Sequence, residues 1–426
     1  VRRFRLKYPR LWFFLGLTVS ALAFFWRRLM CRTSFIAVTG SLGKTTATRC
    51  LAAILSSRFP TNTTRRGGNG RRGIAATILR TRFRHRFTVL ELGTKKPGAL
   101  RRGAWLLAPD TAVILAVAGV HTNNFPTLED LAAEKSALLS RLGRRGLAIL
   151  NGDDPRVAAM ARGCRGKVVT FGTSPHLDVW ASEVSSRWPA RLSFRVHHGA
   201  DSRQVRTKLV GEHWLASTLA ALAAALWNGV DLESAASALE QVEPSRGRME
   251  PVALPSGAIL LRDDCNSSYA SLPAALRVLE QAEGRRVLVF TEAYDSGLSF
   301  RERFQRLGQM AASSVDLAVF FGERSRNAAR RAVEGGMPSE SVRSFPDLWG
   351  AAEFLRSELR EGDLALLRDC HPFHAERIWF ALAGSVGCRM SACSYLRACD
   401  YCAHLRPGLE ETRNLPAPAR PFWEPD

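Results

Sequence analysis

Lysine is scarce in this chain: only seven of its 60 basic residues are lysines, and the rest are arginines. Acid is also short, with 39 aspartates and glutamates, so 426 residues carry a formal net charge of +21. The arginines are scattered rather than gathered in a stripe, and no basic patch is interleaved with aromatics. That excludes a single-strand nucleic-acid platform, and no nucleic-acid partner is expected. Nine cysteines in a chain this long do not make a disulfide framework, and most are expected to be free thiols. A long apolar run is missing too. Leu11 to Trp26 are apolar apart from Thr18 and Ser20, but sixteen helical residues span about 24 Å against a hydrocarbon core of ~30 Å. Arg2, Arg3, Arg5, Lys7 and Arg10 precede this stretch, Arg27, Arg28 and Arg32 follow it, and Trp12 and Trp26 suit two interfaces. Residues 1–33 are therefore read as a membrane anchor, spanning or lying in the interface, with a helix buried on the core as the alternative. No small-residue cleavage site follows, so a signal peptide is not expected.

What is present centres on Phe35 to Ser57. Phe35, Ile36, Ala37 and Val38 form a β-branched apolar run that predicts a buried strand. Gly40 to Gly43 predict a tight loop, and Thr45 onward predicts a helix with Leu51, Ile54 and Leu55 on one face. Such a strand, glycine loop and helix cradles phosphate: loop amides turn inward, the helix N-terminus adds its positive end, Lys44 brings a point charge and the Thr45 hydroxyl suits Mg²⁺. The generic G-x-x-x-x-G-K-[ST] pattern is not met, because Val38 stands where its first glycine would be; the local form is T-G-S-x-G-K-T-T. Lysine scarcity sharpens the reading, since Lys44 and Lys135 stand where arginine would not do the same chemistry.

Further along, Thr61 to Ile74 is a polar loop containing Gly68, Asn69 and Gly70, and it opens a helix at Ala75. Buried strands are expected at Phe87 to Leu92 and Thr111 to Val117, each ending in polar chemistry, with Glu91 closing the first and His121 following the second. A helix from Leu128 to Leu142 carries Lys135, and a strand from Leu147 to Leu150 leads into Asn151 to Pro155. In open parallel sheets ligands gather at the carboxyl ends of strands, which places Glu91 and His121 near the loop. Strands at Ala258 to Leu261, Arg285 to Phe290 and Val315 to Phe321, and a helix from Leu348 to Leu359, support a second α/β lobe. By themselves Asp263 and Asp264 read as a solvated turn, and Lys135 beside Glu134 as a solvated charge pair.

The ordered blocks TGSLGKTT, GGNG, VLELGTKKPG, a histidine after the next strand, AAEKS and LNGDDPRV resemble the central ATPase domain of the Mur ligases, closest to the type that adds D-alanyl-D-alanine. LVGEHWLASTLAALAAAL continues the match, SRGRMEP and LLRDDCNSSYAS resemble the opening of that family's C-terminal domain, and GDLALLRDC its terminal strand. The resemblance covers roughly residues 34–385. It implies an α/β protein with a Mur-type ATP-binding domain at 34–244, a smaller Rossmann-like C-terminal domain at 245–385 and a Cys- and Pro-rich tail at 386–426. Cys388, Cys393, Cys399 and Cys402 of that tail have a spacing that matches no zinc ribbon or finger, and reduced thiols are favoured over a metal site.

Carried over residue by residue, the resemblance implies ATP and Mg²⁺. Gly40, Ser41, Gly43, Lys44, Thr45, Thr46, Asn69 and His213 would hold nucleotide, with Asp263 and Asn266 of the C-terminal domain. Thr45, Glu91, His121 and a carbamylated Lys135 would hold metal, and Lys44, Lys135 and Arg248 would be the catalytic residues, with Lys44 and Arg248 meeting the phosphates. The reaction implied is amide formation through an acyl phosphate, joining a carboxylate and an amine of a cell-envelope or polymer precursor, with the catalytic domains facing the cytoplasm at the inner membrane. Three departures stand out: Trp214 and Ser217 replace family asparagines, Arg368, Asp369 and Cys370 replace a lysine-glycine-serine, and no UDP-sugar-binding domain precedes the ATPase. An apolar N-terminus joined to a Mur-type ATPase also resembles the poly-γ-glutamate synthase ligase subunit. The rivals are a P-loop kinase or nucleotidase, and a nucleotide-binding scaffold for a partner synthase.

Overall fold

The computed structural model describes residues 9–65, 68–94, 96–119, 124–265, 267–291, 298–369, 374–384, 386–390, 399–402 and 405. Side chains are described from residue 16 onward, Tyr401 apart. The chain forms two compact units, one from residues 1–185, 192–208 and 213–242, the other from 186–191, 209–212 and 243–426.

The first unit is built on a nine-stranded sheet in the order β2-β3-β1-β4-β5-β6-β7-β8-β9. These strands are β1 (Ser34–Thr39), β2 (Thr61–Thr63), β3 (Phe87–Glu91), β4 (Thr111–Ile114), β5 (Leu147–Asn151), β6 (Lys167–Gly172), β7 (Val179–Ser185), β8 (Ser193–His198) and β9 (Asp201–Arg206). Every residue of β3 and β4 is buried, as strands covered on both faces by helices must be. Pairing is parallel from β2 to β7 and antiparallel from β7 to β9. Register matters for the chemistry: Val38 of β1 lies beside Glu91 of β3 on one side and Val113 of β4 on the other. A carboxylate is thereby delivered to the edge of the loop that follows β1.

Helix α1 (Pro9–Leu29) precedes β1, and its role differs from the anchor expected of it. Among the described residues no helix is long and apolar enough to cross a membrane. The expectation of a transmembrane segment, and of an inner-membrane location, fails on that finding. The reason lies in the last two turns of α1. Ala23 and, just beyond the helix, Met30 are buried, and the Trp26 indole donates to Thr81 O (3.0 Å). Arg27 donates to Leu107 O and Ala108 O, both at 2.7 Å, and pairs with Asp110, which also accepts from Phe35 N. Phe24 stacks on Trp105 at 4.5 Å. These groups bind α1 to the unit as a packed element, the alternative the sequence left open. Gly16, Thr18 and Ser20 dilute its apolar stretch.

After β1, α2 (Lys44–Ser56) turns its buried face of Cys50, Leu51, Ile54 and Leu55 inward. Beyond it come α3 (Arg71–Arg80), α4 (Ala99–Leu107), α5 (Leu128–Ser136) and α6 (Pro155–Ala159), then α7 (Leu215–Trp227) and α8 (Leu232–Glu240). Helix α7 is alanine-rich and packs on α2. Side chains that small let two backbones approach closely, which is how α7 comes to lie against the start of α2. Glu134 is not solvated: its carboxylate accepts from Gly98 N (2.7 Å) and Leu100 N (2.8 Å) and closes the N-terminus of α4.

The second unit holds a six-stranded sheet in the order β10-β11-β15-β12-β13-β14, antiparallel only between its first two strands. The strands are β10 (Glu250–Ala253), β11 (Ile259–Asp263), β12 (Arg286–Phe290), β13 (Leu317–Phe321), β14 (Val342–Phe345) and β15 (Leu364–Arg368). Helices α9 (Leu272–Glu280), α10 (Phe300–Ala311), α11 (Ser325–Glu334), α12 (Leu348–Glu358) and α13 (Glu376–Ala383) belong with them. Leu260, Val287, Val289, Val319, Leu355, Leu367 and Ile378 form its core. Asp263 lies inside β11, and both it and Asp264 are buried, so the solvated turn expected there does not form.

Candidate active site

The loop from Gly40 to Gly43 leaves β1 and enters α2 with no side-chain cap. Gly43 adopts the left-handed conformation (φ 78°), and a Cβ there would sit 2.3 Å from Ser217 Oγ. Only glycine fits that corner. Ser217 in turn donates to Gly43 O at 3.2 Å, so the residue at this departure from the family pattern supports the loop. Ser41 N donates to Ala116 O, and its hydroxyl joins Ala118 N and O at 2.9 and 3.0 Å, tying the loop to the exit of β4. Thr46 is buried in the first turn of α2. Lys44 Nζ donates to Gly40 O (2.7 Å) and Ser41 O (3.0 Å), which draws its ammonium over the loop.

Beside the loop stands a carboxylate. Glu91 is 4% exposed; Oε2 accepts from Thr45 Oγ1 and Oε1 from Asn69 Nδ2, each at 2.8 Å. Both donors are neutral, so they orient the carboxylate without cancelling its charge. Asn69 is held by its own backbone, its O accepting from Gly93 N at 3.0 Å. The polar glycine loop after β2 thus reaches the metal-suited edge of the site. Hard oxygens at Thr45 and Glu91 are the donor type Mg²⁺ takes.

Lys135 on α5 is wholly buried, and its Nζ meets Thr94 Oγ1 at 3.2 Å. Burial pushes this amine well below its ordinary value, and the Lys44 ammonium pushes it further, against a smaller upward pull from Glu134. Disfavouring the ammonium favours the nucleophilic amine form, which is what carbamylation requires. The solvated charge pair expected of Lys135 and Glu134 is not found. His121 and Asn266 lie outside the described residues. His213 is half-buried just before α7, its ring 4.6 Å from that of Trp214.

In the second unit Asp263 Oδ2 accepts from Arg368 Nη1 at 2.5 Å and from Ser267 Oγ at 3.1 Å. Arg368 also donates to Ser268 O and Ser271 Oγ. Arg248 is half-buried in the tight turn after Ser245. Sequence reasoning missed Thr94, which meets Lys135, and missed the Arg262 network. Arg262 donates to both oxygens of Asp400 at 2.9 Å and to both of Asp264 at 3.0 and 3.2 Å. Burial alone would lower this guanidinium, yet Asp264, Asp400 and Glu250 together raise it. The one available signal was an arginine inside the apolar run that forms β11.

A phosphate-suited loop beside a hard-oxygen pair, on a mostly parallel sheet, defines a nucleotide-binding protein, and the chain carries a second, mostly parallel α/β unit. Residues 38–225 match the Mur ligase middle domain, and residues 247–368 match the Mur ligase glutamate ligase domain. The UDP-N-acetylmuramoyl-tripeptide–D-alanyl-D-alanine ligase of Mycobacterium bovis is 30% identical over 356 residues, covering 79% of this chain and 70% of the relative. Its Escherichia coli counterpart is 29% identical, over 70% of this chain and 67% of the relative. A crystal structure of MurF from Acinetobacter baumannii superposes with a TM-score of 0.78 at 27% identity, over 86% of this chain and 80% of that one. The chain belongs to the Mur ligase family. It is an ATP-dependent amide-bond ligase, with ATP and Mg²⁺ as its cofactors.

Proposed function

We propose that this ligase joins a peptide carboxylate of a cell-wall precursor to the amino group of a short peptide, as the names of its relatives describe for a UDP-muramoyl tripeptide and D-alanyl-D-alanine. Residues 34–244 form the ATP-binding domain and 245–385 the C-terminal domain, followed by the tail at 386–426. The observation that carries the reading is the Thr45–Glu91–Asn69 arrangement beside Lys44, with Lys135 buried and its ammonium disfavoured by that burial.

Amide formation in water needs an activated carboxylate, and transfer of the γ-phosphoryl group of ATP makes an acyl phosphate that the amine then attacks. Lys44, the amides of Gly43 and Thr45 and the N-terminus of α2 hold the phosphates in place. Gly40, Ser41 and Thr46 shape that cradle. Thr45 and Glu91 present oxygen ligands, with His121 and a carbamylated Lys135 completing the set. Mg²⁺ there neutralises charge that builds on the transferring phosphoryl group. Asn69 keeps Glu91 aimed. Of the other residues that the resemblance assigns to nucleotide, His213 belongs to the first unit and Arg248 and Asp263 to the second.

A second reading, a nucleotide-binding Mur-like subunit that supports a partner synthase, draws on Trp214 and on the engagement of Asp263 with Arg368. One experiment separates the two. The full chain is incubated with ATP, Mg²⁺, a UDP-muramoyl tripeptide and D-alanyl-D-alanine, and then with a panel of other amines. The ligase reading expects ADP and phosphate release that depends on both substrates, and a product of their combined mass less water. ATP binding with no stimulated turnover by any pair would favour the scaffold.

A further inference from the structure

We propose that His374, Glu376 and Cys399 form a zinc site in the second unit, a structural clip that fastens residues 399–402 to the segment following β15. The three side chains are buried, and their ligand atoms lie within 4.8 Å of one another. His374 Nδ1 is 3.2 Å from Glu376 Oε1 and 3.5 Å from Cys399 Sγ. Tetrahedral zinc with ordinary bond lengths sets a nitrogen–oxygen edge of roughly 3.3 Å and a nitrogen–sulfur edge of roughly 3.6 Å. The two edges at His374 Nδ1 match these lengths, and the Glu376 and Cys399 ligand atoms lie within 4.8 Å of each other.

Without metal, hydrogen bonds to the Glu376 carboxylate hold the cluster, and burial beside that carboxylate pushes the Cys399 thiol up. A single imidazole nitrogen is either an N–H or a lone pair. As an N–H it serves the Glu376 carboxylate but cannot accept the Cys399 thiol; as a lone pair it takes the thiol and turns a lone pair on the carboxylate. A divalent cation uses a lone pair from each of the three atoms at once. One nitrogen, one sulfur and one oxygen also suit zinc, not magnesium.

The surroundings support the donors as outer partners of a metal site do. Cys399 N donates to Glu376 Oε1 at 2.6 Å, and Arg377 Nε donates to His374 O at 3.2 Å. Asp400, next to Cys399, is gripped at both oxygens by Arg262 of β11. His374 takes a left-handed backbone conformation (φ 59°), which surrounding structure must hold in place. The fourth position falls to water or to Cys402, whose N–H returns to Cys399 O at 2.9 Å in a C-x-x-C turn. Cysteine spacing alone could not show this site, because two of its donors come from the HAE segment at 374–376. It shares no residue with the proposed ATP site.

The test uses the full chain, purified with reductant and without chelator, and then its cobalt(II)-exchanged form. The proposal expects one zinc per chain and, with cobalt, a thiolate-to-metal charge-transfer band with the strong visible bands of a tetrahedral site. Both are lost in Cys399→Ser and in His374→Gln and kept in Cys164→Ser, a cysteine of the first unit. Absence of retained zinc together with absence of a cobalt–thiolate band in the wild-type chain overturns the proposal, whether or not the variants fold. So does a band that persists undiminished in both folded variants.

Discussion

Each unit ends a sheet strand in a buried carboxylate, and the two are treated in opposite ways. Glu91 closes β3 at 4% exposure and is held by the hydroxyl of Thr45 and the amide of Asn69. Asp263 closes β11 at 6% exposure and is held by the guanidinium of Arg368. Neutral donors fix the direction of a carboxylate and keep its charge for a cation that arrives later. An arginine built into the neighbouring strand supplies the counter-charge permanently. The first arrangement leaves its charge to a cation; the second is a fastening, with the Asp263 charge already met by Arg368.

Substitutions sharpen that contrast. The largest effect is expected for Lys44→Ala, which removes the phosphate-facing ammonium at the loop. ATP turnover should fall at least about 10³-fold with an unchanged circular dichroism spectrum, and near-wild-type turnover would sink the site. Next comes Asp263→Ala, which strands the buried Arg368 charge. Denaturant unfolding of the second unit should show a loss of about 3–5 kcal/mol, and a loss under 1 kcal/mol would mean that the pair is not the fastening described here.

Glu91→Gln keeps an acceptor for Thr45 but removes the charge. Turnover is expected to drop about 10²-fold, with the Mg²⁺ concentration for half-activity shifted upward and the melting temperature nearly constant. The smallest effect is on stability, for Lys135→Met. The buried amine is depressed below 10.5 in the folded chain, whereas the unfolded chain gains a proton once pH falls below that value. The unfolded state is thus favoured at neutral pH by proton uptake, and that penalty fades as pH rises toward 10.5. Lys135→Met should melt about 2–4 °C higher at pH 7.5, with the gap closing in alkaline buffer, while ligase activity is lost. A lower melting temperature would contradict the cost assigned to the buried amine.

The first site was largely legible in the sequence because its parts are local. A β-branched run, two glycines and Lys-Thr fall within a dozen residues, and Glu91 announces itself at the end of an apolar strand. The β7–β9 extension was not legible: its strands bury one face, as in Ser193–His198, and carry polar residues on the other. Buried charge was hidden for a different reason. Asp263 meets Arg368 across 105 residues and Arg262 meets Asp400 across 138, so each partner alone reads as a surface charge. Helix α1 misled through composition, since aromatic and aliphatic residues flanked by arginines describe an anchor as well as a helix that packs on α3 and α4 and is tied down by Trp26 and Arg27.

Glu91 keeps its charge for a metal at the phosphate loop, and Asp263 does not. Manganese(II) in place of Mg²⁺, with a non-hydrolysable ATP analogue, reports this directly by electron paramagnetic resonance titration of the full chain. The account expects tight, nucleotide-dependent Mn²⁺ binding that is lost in Glu91→Gln and retained in Asp263→Asn. Binding unchanged in Glu91→Gln, or abolished in a folded Asp263→Asn, would contradict it.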